Sequence, residues 1–249
     1  MNAILETTAL TKSFGALTVV DHISISVEPG ERRGIIGPNG AGKTTLFNLI
    51  TGDIAPTSGA VGFKGVEITR RPTSWRARRG IRRTYQASAL FDTLTVTENL
   101  MVAGLGPLGR QWNPGRQACN DKQLMKNVSA AAELVHLEDK LPVVTSELSH
   151  GERRQLEIAM AFVLQPTVLL LDEPASGLSP LERSQLADTL NAVDRSVAVL
   201  LIEHDMEIAL GFADQVTVLY AGREVMTADP ESVISSGEVQ EVYLGGSHA

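Results

Sequence analysis

The stretch RRGIIGPNGAGKTTLFNLI places Gly37, then Pro38, Asn39, Gly40 and Ala41, then Gly42, Lys43 and Thr44, between an apolar strand and an amphipathic helix. Glycines at that spacing let backbone N–H groups wrap phosphate oxygens, and the helix amino end adds roughly half a positive charge. Lys43 is then in reach of the β and γ phosphates of a nucleotide, and the Thr44 hydroxyl can face Mg²⁺. A second stretch, TVLLLDEP, ends an apolar run in Asp172, which puts a carboxylate at the carboxyl edge of a sheet, where it can hold the water shell of Mg²⁺. Glu173 follows directly and is suited to orient or deprotonate an attacking water.

A third stretch, LSHGERRQLEIAM, holds no obvious nucleophile, metal ligand or acid/base pair. Its spacing predicts a capping box: Ser149 caps a helix, Glu152 bonds back, and Leu156, Ala159, Met160 and Val163 bury one face.

The elements that must carry these residues follow from the hydrophobic pattern. Short Val- and Ile-rich runs alternate with helix-length amphipathic stretches, as in a largely parallel sheet covered by helices. Strands are predicted near Ala3–Thr8, Val19–Val27, Arg33–Ile36, Ala60–Lys64, Ile81–Tyr85, Val168–Leu171, Val197–Ile202 and Gln215–Tyr220. The early ones, separated by turn signals such as EPGE, are expected to be antiparallel; the later ones, separated by helices, parallel. From Thr95 to about Val163 no strand is expected, and Leu124, Val128, Ala131 and Val135 fall at helical spacing, which predicts an inserted helical subdomain. GPLGRQWNPGRQ, ahead of that helix, is expected to be a surface loop. There is no internal repeat or low-complexity tract, which argues against a solenoid.

With 249 residues, 43% of them hydrophobic and 4% aromatic, the chain suits one large α/β domain or a domain with a subdomain. Its net charge of -7 gives it no overall attraction for nucleic acid or anionic lipid. The single cysteine, Cys119, excludes an internal disulfide and fits a reducing compartment. The opening MNAILETTALTKSFG lacks the basic flank and apolar core of a secretion signal, and the longest apolar runs, such as VAVLLI, fall far short of the roughly 18 residues of a membrane helix. A chain soluble by itself is expected. Against the acidic background, TRRPTSWRARRGIRR gathers seven arginines between Arg70 and Arg83. Only Trp75 and Tyr85 interleave them, so a solvated helix face is expected, or attraction to an acidic membrane leaflet or membrane subunit, rather than a nucleic-acid site.

Taken in order along the chain, these stretches resemble the nucleotide-binding subunits of ATP-binding cassette (ABC) transporters. GPNGAGKTT is similar to the phosphate loop of that family, which adds Thr45 to the nucleotide-binding set; RTYQ puts Gln86 at the Q-loop position; LSHGE resembles the signature LSGGQ; LLLDEP is similar to the acidic strand; LLIEHD puts His204 at the switch-histidine position. The resemblance implies an α/β fold, a P-loop NTPase ABC cassette. It would have a mixed parallel sheet core, an antiparallel β subdomain and a helical subdomain at about 95–163, in a single domain spanning 1–249. It implies ATP and Mg²⁺ as ligands, with Thr44, Gln86 and Asp172 facing the metal, Lys43 stabilising charge, Glu173 as base, and His204 holding phosphate and base in register. Phe14, in KSFG, sits where the family stacks an aromatic ring on adenine, a contact worth about 1–3 kcal/mol. The signature helix would serve in trans, aiming Ser149 and Gly151 at the γ-phosphate held by a second cassette, either the same chain or a paralogue. His150, in place of a glycine, and Ser179, in place of an aspartate, depart from the family pattern.

LFDTLTVTENLMVAG, LLIEHDMEIALGFADQVTVLYAGREV and the ending VQEVYLG, within a tail at about 228–246, look like the importers of branched-chain amino acids and their relatives for urea and short amides. That resemblance implies permease subunits as partners, with 87–100 as the contact surface, a solute-binding protein acting indirectly, and a peripheral place on the cytoplasmic face of the plasma (inner) membrane. The alternatives are a lipopolysaccharide-type exporter cassette, which shares GERR, and a soluble cassette ATPase acting on nucleic acid or ribosomes. A regulator without hydrolysis conflicts with the presence of Lys43, Gln86, Glu173 and His204 together.

Overall fold

The structure, a computed structural model, describes residues 3–84, 90–105 and 121–244. The predicted strand end at Tyr85, and with it Gln86, Cys119 and the loop GPLGRQWNPGRQ, lie outside the described residues.

Strands from both halves of the chain build a six-stranded sheet in the order β11-β10-β4-β9-β8-β7. Its central strands are β4 (Arg32–Ile36), β8 (Val168–Asp172) and β9 (Ala198–Ile202), and every residue in them is buried. That is the signature of parallel strands covered on both faces. β7 (Ile81–Arg83) joins β8, and β10 (Gln215–Tyr220) joins β4, both parallel; β11 (Arg223–Ala228) pairs antiparallel with β10 at the edge. The mixed parallel core is therefore as expected.

The first third forms a separate antiparallel sheet, in which β1 (Leu5–Phe14) pairs with β2 (Leu17–Ile23), β3 (Ser26–Val27) and β5 (Ser58–Phe63), and β5 with β6 (Val66–Glu67). β1 runs well past the predicted end at Thr8. Its register shifts around Ala9, where φ is 43°, so the inward phase moves from Leu5 and Thr7 to Leu10 and Thr11. A bulge of this kind breaks the period of two that marks a strand in sequence. The predicted strand Val19–Val27 is split in two, with His22 at a positive φ of 57° near the break. β6 and β11 were not expected; each closes a two-residue hairpin, at Lys64-Gly65 and Ala221-Gly222, with both turn residues at positive φ. Neither turn carries the Asn-Gly or Asp-Gly pair that announces this geometry.

Between the sheets lies α1 (Lys43–Thr51), whose Leu46, Phe47, Leu49 and Ile50 are fully buried, worth about 1.5–3 kcal/mol each. Pleating divides β8 and β9 between two cores. Leu170 and Leu200 face α1 and the antiparallel sheet, while Leu169, Leu171, Val199 and Leu201 face the helices on the other side. Those helices include α3 (Val96–Leu105), α4 (Lys122–Leu134), α5 (His150–Phe162) and α6 (Pro180–Ala192), after α2 (Thr73–Arg78) on the α1 side. Leu124, Val128, Ala131 and Val135 all point into this core. α7 (Met206–Phe212) packs on β4, and α8 (Pro230–Ser235) and α9 (Gly237–Leu244) supply Val233 and Val239 to a third cluster around Ile36. Among the described residues no helix is long and apolar enough to cross a membrane.

The arginine-rich segment is only in part the solvated face expected. Arg70, Arg71, Arg78 and Arg79 are exposed, with Arg71 and Arg79 flanking Trp75 at 5.1 and 4.9 Å from its ring. Arg76, by contrast, is 1% exposed and donates to the carbonyls of Leu49 and Ile50, at 2.8 and 2.6 Å, and of Thr69 and Arg71, both at 2.9 Å. It satisfies carbonyls in the last turn of α1, which no intrahelical donor can reach, and its charge opposes the negative helix end. Burial lowers its pKa to about 10. Arg76→Met should therefore strand these carbonyls and destabilise the chain by about 2–4 kcal/mol; an equilibrium urea unfolding curve showing less than about 0.5 kcal/mol would contradict this.

Candidate functional site

β4 delivers the chain to the loop 37–42, which turns through positive φ at Gly37 (150°), Gly40 (79°) and Gly42 (97°). A Cβ on Gly37 would run into the carbonyl of Leu219, and one on Gly42 into that of Val19, so a side chain fits at neither position. Gly42 is the N-cap of α1 and gives no side-chain cap, and the first turn holds no acidic residue. The leading amides of α1 are thus left for an external anion.

Lys43 is 6% exposed, and its ammonium curls over the loop to donate to the carbonyls of Gly37 (2.6 Å) and Pro38 (3.1 Å). Burial lowers its pKa, opposed by the nearby Glu173 and Asp172 carboxylates. Thr44 and Thr45 are half-buried in the same first turn; Ala41 is buried, Pro38 half-buried, and Asn39 and Gly40 exposed. From the far end of the chain, Tyr243 on α9 packs on the cluster around Ile36; burial raises its phenol pKa, opposed by the Gly37 N–H.

Parallel pairing sets Asp172 of β8 beside Ile202 of β9. Asp172 is wholly buried; Oδ2 accepts from Arg83 Nη2 at 2.6 Å, and among the described residues Oδ1 has no hydrogen-bond partner. Such an orphaned buried oxygen, on a carboxylate near enough to oppose the burial-driven fall in the pKa of Lys43 in the first turn of α1, fits a hydrated divalent cation.

Glu173 leaves the strand with φ at 48°, a conformation a non-glycine residue rarely adopts. Its N–H donates to Ile202 O at 2.9 Å, and its carbonyl accepts from Arg154 Nη2 at 3.0 Å. Arg154, itself paired with Glu157, also donates to the carbonyls of Asp172 and Pro174, so α5 clamps the whole turn. The Glu173 carboxylate lies 4.0 Å from His204 Nδ1. Beneath both is Glu203, wholly buried, which accepts from Ala175 N–H at 2.7 Å and His204 N–H at 3.3 Å. Burial raises its pKa, and the Ala175 N–H opposes the rise.

At the front of α5 the capping box is formed: Ser149 Oγ accepts from Glu152 N–H (3.2 Å), and Glu152 accepts from Ser149 N–H (2.8 Å). The Ser149 N–H is the main reason the Glu152 pKa is lowered. The immediate neighbours of this helix end are the Glu182 carboxylate at Gly151, and Gly177 beside the His150 ring. Ser179 caps α6 in a box of its own with Glu182. Phe14 lies at the end of β1, 51% exposed, with Lys12 Nζ 5.0 Å from its ring centre.

The structure thus brings Lys43, Thr44, Asp172, Glu173 and His204 to one edge, and sets Phe14 on an exposed strand end. Sequence reasoning missed Arg83, Arg154 and Glu203. Glu203 stands beside His204 in LLIEHD and Arg83 beside the expected Q-loop, so adjacency alone marked them, while nothing in GERR separated Arg154 from its neighbour Arg153.

A family model described as ABC transporter matches residues 20–176, more than half of the chain. The chain belongs to that family. It is an ABC ATPase, in which ATP hydrolysis is coupled to transport. It is 36% identical over 249 residues to the high-affinity branched-chain amino acid transport ATP-binding protein BraF of Pseudomonas aeruginosa, with 97% of this chain and 98% of the relative covered. To the corresponding protein LivG of Escherichia coli it is 34% identical over 250 residues, at the same coverage. Among solved structures it is similar to the ADP conformation of MJ1267, an ATP-binding cassette of an ABC transporter, with TM-score 0.87 and 29% identity over 98% of this chain and 100% of that one. A nucleotide-free cassette matches with TM-score 0.84 and 29% identity over 97% and 98%.

If the loop amides and Lys43 carry the phosphate interaction of this ABC ATPase, Lys43→Ala should weaken ATP binding at least about tenfold, as expected for removal of a buried charge from an anion. Fluorescent-nucleotide titration checks this, and wild-type affinity in the variant would contradict the assignment.

Proposed function

We propose that this chain powers a membrane importer of branched-chain amino acids or related small polar solutes such as urea or amides, as a peripheral subunit on the cytoplasmic face of the membrane. The observation that carries the catalytic part is the convergence of Lys43, Asp172, Glu173 and His204 at the carboxyl ends of β4, β8 and β9. The relatives' names support the solute class.

In this proposal two cassettes, this chain with a copy or a paralogue, close around two ATP molecules. Loop amides 37–42 and the first turn of α1 receive the phosphates, Lys43 neutralises charge developing on the γ-phosphoryl group, and Phe14 stacks on the base. Mg²⁺, held by Thr44, Asp172 and Gln86, would supply further charge neutralisation at the phosphates. Glu173 takes the proton of the attacking water, its backbone held by Arg154 and Ile202, and His204 keeps the carboxylate and the phosphate in register. Ser149 and Gly151 serve the partner's ATP; in their own chain the front of α5 adjoins Glu182 and Gly177. The permease subunits meet the 87–100 surface, and the solute-binding protein acts through them.

Glu173→Gln should keep ATP affinity, lower turnover at least about a hundredfold, and trap the closed dimer. Turnover assays with size-exclusion chromatography in ATP read both effects, and unchanged turnover removes Glu173 from the base role. Affinity purification of the tagged chain from detergent-solubilised native membranes tests the transport assignment: permease subunits are expected, whereas ribosomes or DNA enzymes would contradict it.

A further inference from the structure

Arg83 ends β7 and is 4% exposed at its side chain, a position where an arginine needs a specific reason to be. Its fork reaches three elements. Nη2 donates to Asp172 Oδ2 of β8 at 2.6 Å, while Nη1 donates to Asn48 Oδ1 of α1 at 2.5 Å and lies 3.4 Å from Asp53 Oδ2 in the turn after α1. The guanidinium also stands 5.6 Å over the Phe47 ring. A planar guanidinium anchored at a second point, here Asn48, presents its other N–H in a fixed direction, so the carboxylate oxygen it grips is held more rigidly than by a rotating lysine ammonium. One oxygen of Asp172 is thereby committed, and the other, buried and lacking a hydrogen-bond partner among the described residues, is directed elsewhere.

We propose that Arg83 is a positioning residue for the metal-facing carboxylate. It holds Asp172 by Oδ2 so that Oδ1 is presented to the hydrated cation accompanying ATP, and through Asn48 it registers that carboxylate to α1, whose first turn carries Lys43 and Thr44. This inference rests on the assignment of Asp172 to Mg²⁺ above. It opposes a simpler view, in which Arg83 is a counter-ion that a cation must outcompete.

The two differ in sign. Calorimetric titration of the full chain with ATP, once with Mg²⁺ and once with EDTA, gives the factor by which Mg²⁺ tightens binding. Arg83→Met should cut that factor about tenfold, the usual effect of removing an outer-shell partner, with EDTA-condition affinity within about twofold of wild type. Asp172→Asn is the reference variant. Loss of the Mg²⁺ effect in both variants supports the inference. Loss in Asp172→Asn with an unchanged or larger Mg²⁺ effect in Arg83→Met overturns the role of Arg83 and leaves the metal assignment standing, while an unchanged effect in Asp172→Asn overturns both. Equal weakening of ATP binding in the two conditions in Arg83→Met would mark a merely structural role and also overturns it. Should Arg83→Met fail to fold, Asn48→Ala removes the second anchor and should cut the factor about threefold, no change being the contrary result.

Discussion

In the proposed site a triphosphate would bring more negative charge than the side chains at this edge could neutralise, so backbone amides would have to meet it. That requires a helix start left without a cap and a loop that can turn through left-handed conformations, and both converge on residues 37–43. The rest of the fold can be understood as holding that loop still. β4, buried at every residue, anchors its beginning, α1 its end between two sheets, and the backbones of Leu219 and Val19 press so closely that only glycine fits beside them. Arg76 closes the opposite end of α1 by satisfying its terminal carbonyls, so the helix is braced at both termini.

Around this cradle, buried charged groups are satisfied largely by backbone carbonyls and N–H groups, as at Lys43, Arg76 and Glu203, with Asp172 paired to Arg83. A buried charge left without partners would be costly by several kcal/mol. Arg154 on α5 grips three successive carbonyls after β8, holding Glu173 in a backbone conformation it would not adopt freely. Glu203 ties the His204 backbone to the Ala175 N–H, joining the ends of β8 and β9. The candidate base and its neighbouring histidine are therefore positioned by backbone restraint, with the His204 ring 4.0 Å from the Glu173 carboxylate and 3.8 Å from that of Glu203.

Where chemistry demands fixed residue types at fixed spacing, the chain was legible in advance. The phosphate loop, the Asp172-Glu173 strand end and the box at Ser149 fall where the sequence places them, because each is local and its geometry is set by a few neighbours. Central strands were legible for a related reason: burial on both faces leaves unbroken apolar runs. Strand ends governed by a bulge were not, since Ala9 shifts the phase of β1, nor were hairpins built on Lys64-Gly65 and Ala221-Gly222. Least legible were the long-range grips. Arg83 and Asp172 are 89 residues apart, and their contact exists only once β7 lies beside β8. Nothing in composition separates Arg76, which reaches the carbonyls of Leu49 and Ile50 on the preceding helix, from Arg70, Arg71, Arg78 and Arg79, which are solvated.

The central claim is that one chain holds half of two sites, its loop for its own nucleotide and its α5 front for a neighbour's. ATP hydrolysis per chain, measured across a dilution series with wild type and Ser149→Arg, tests it most directly. The account predicts a rate per chain that falls on dilution, recovers when cassette is added back, and is lost in Ser149→Arg. A rate per chain that is constant at every dilution and indifferent to Ser149 would contradict it.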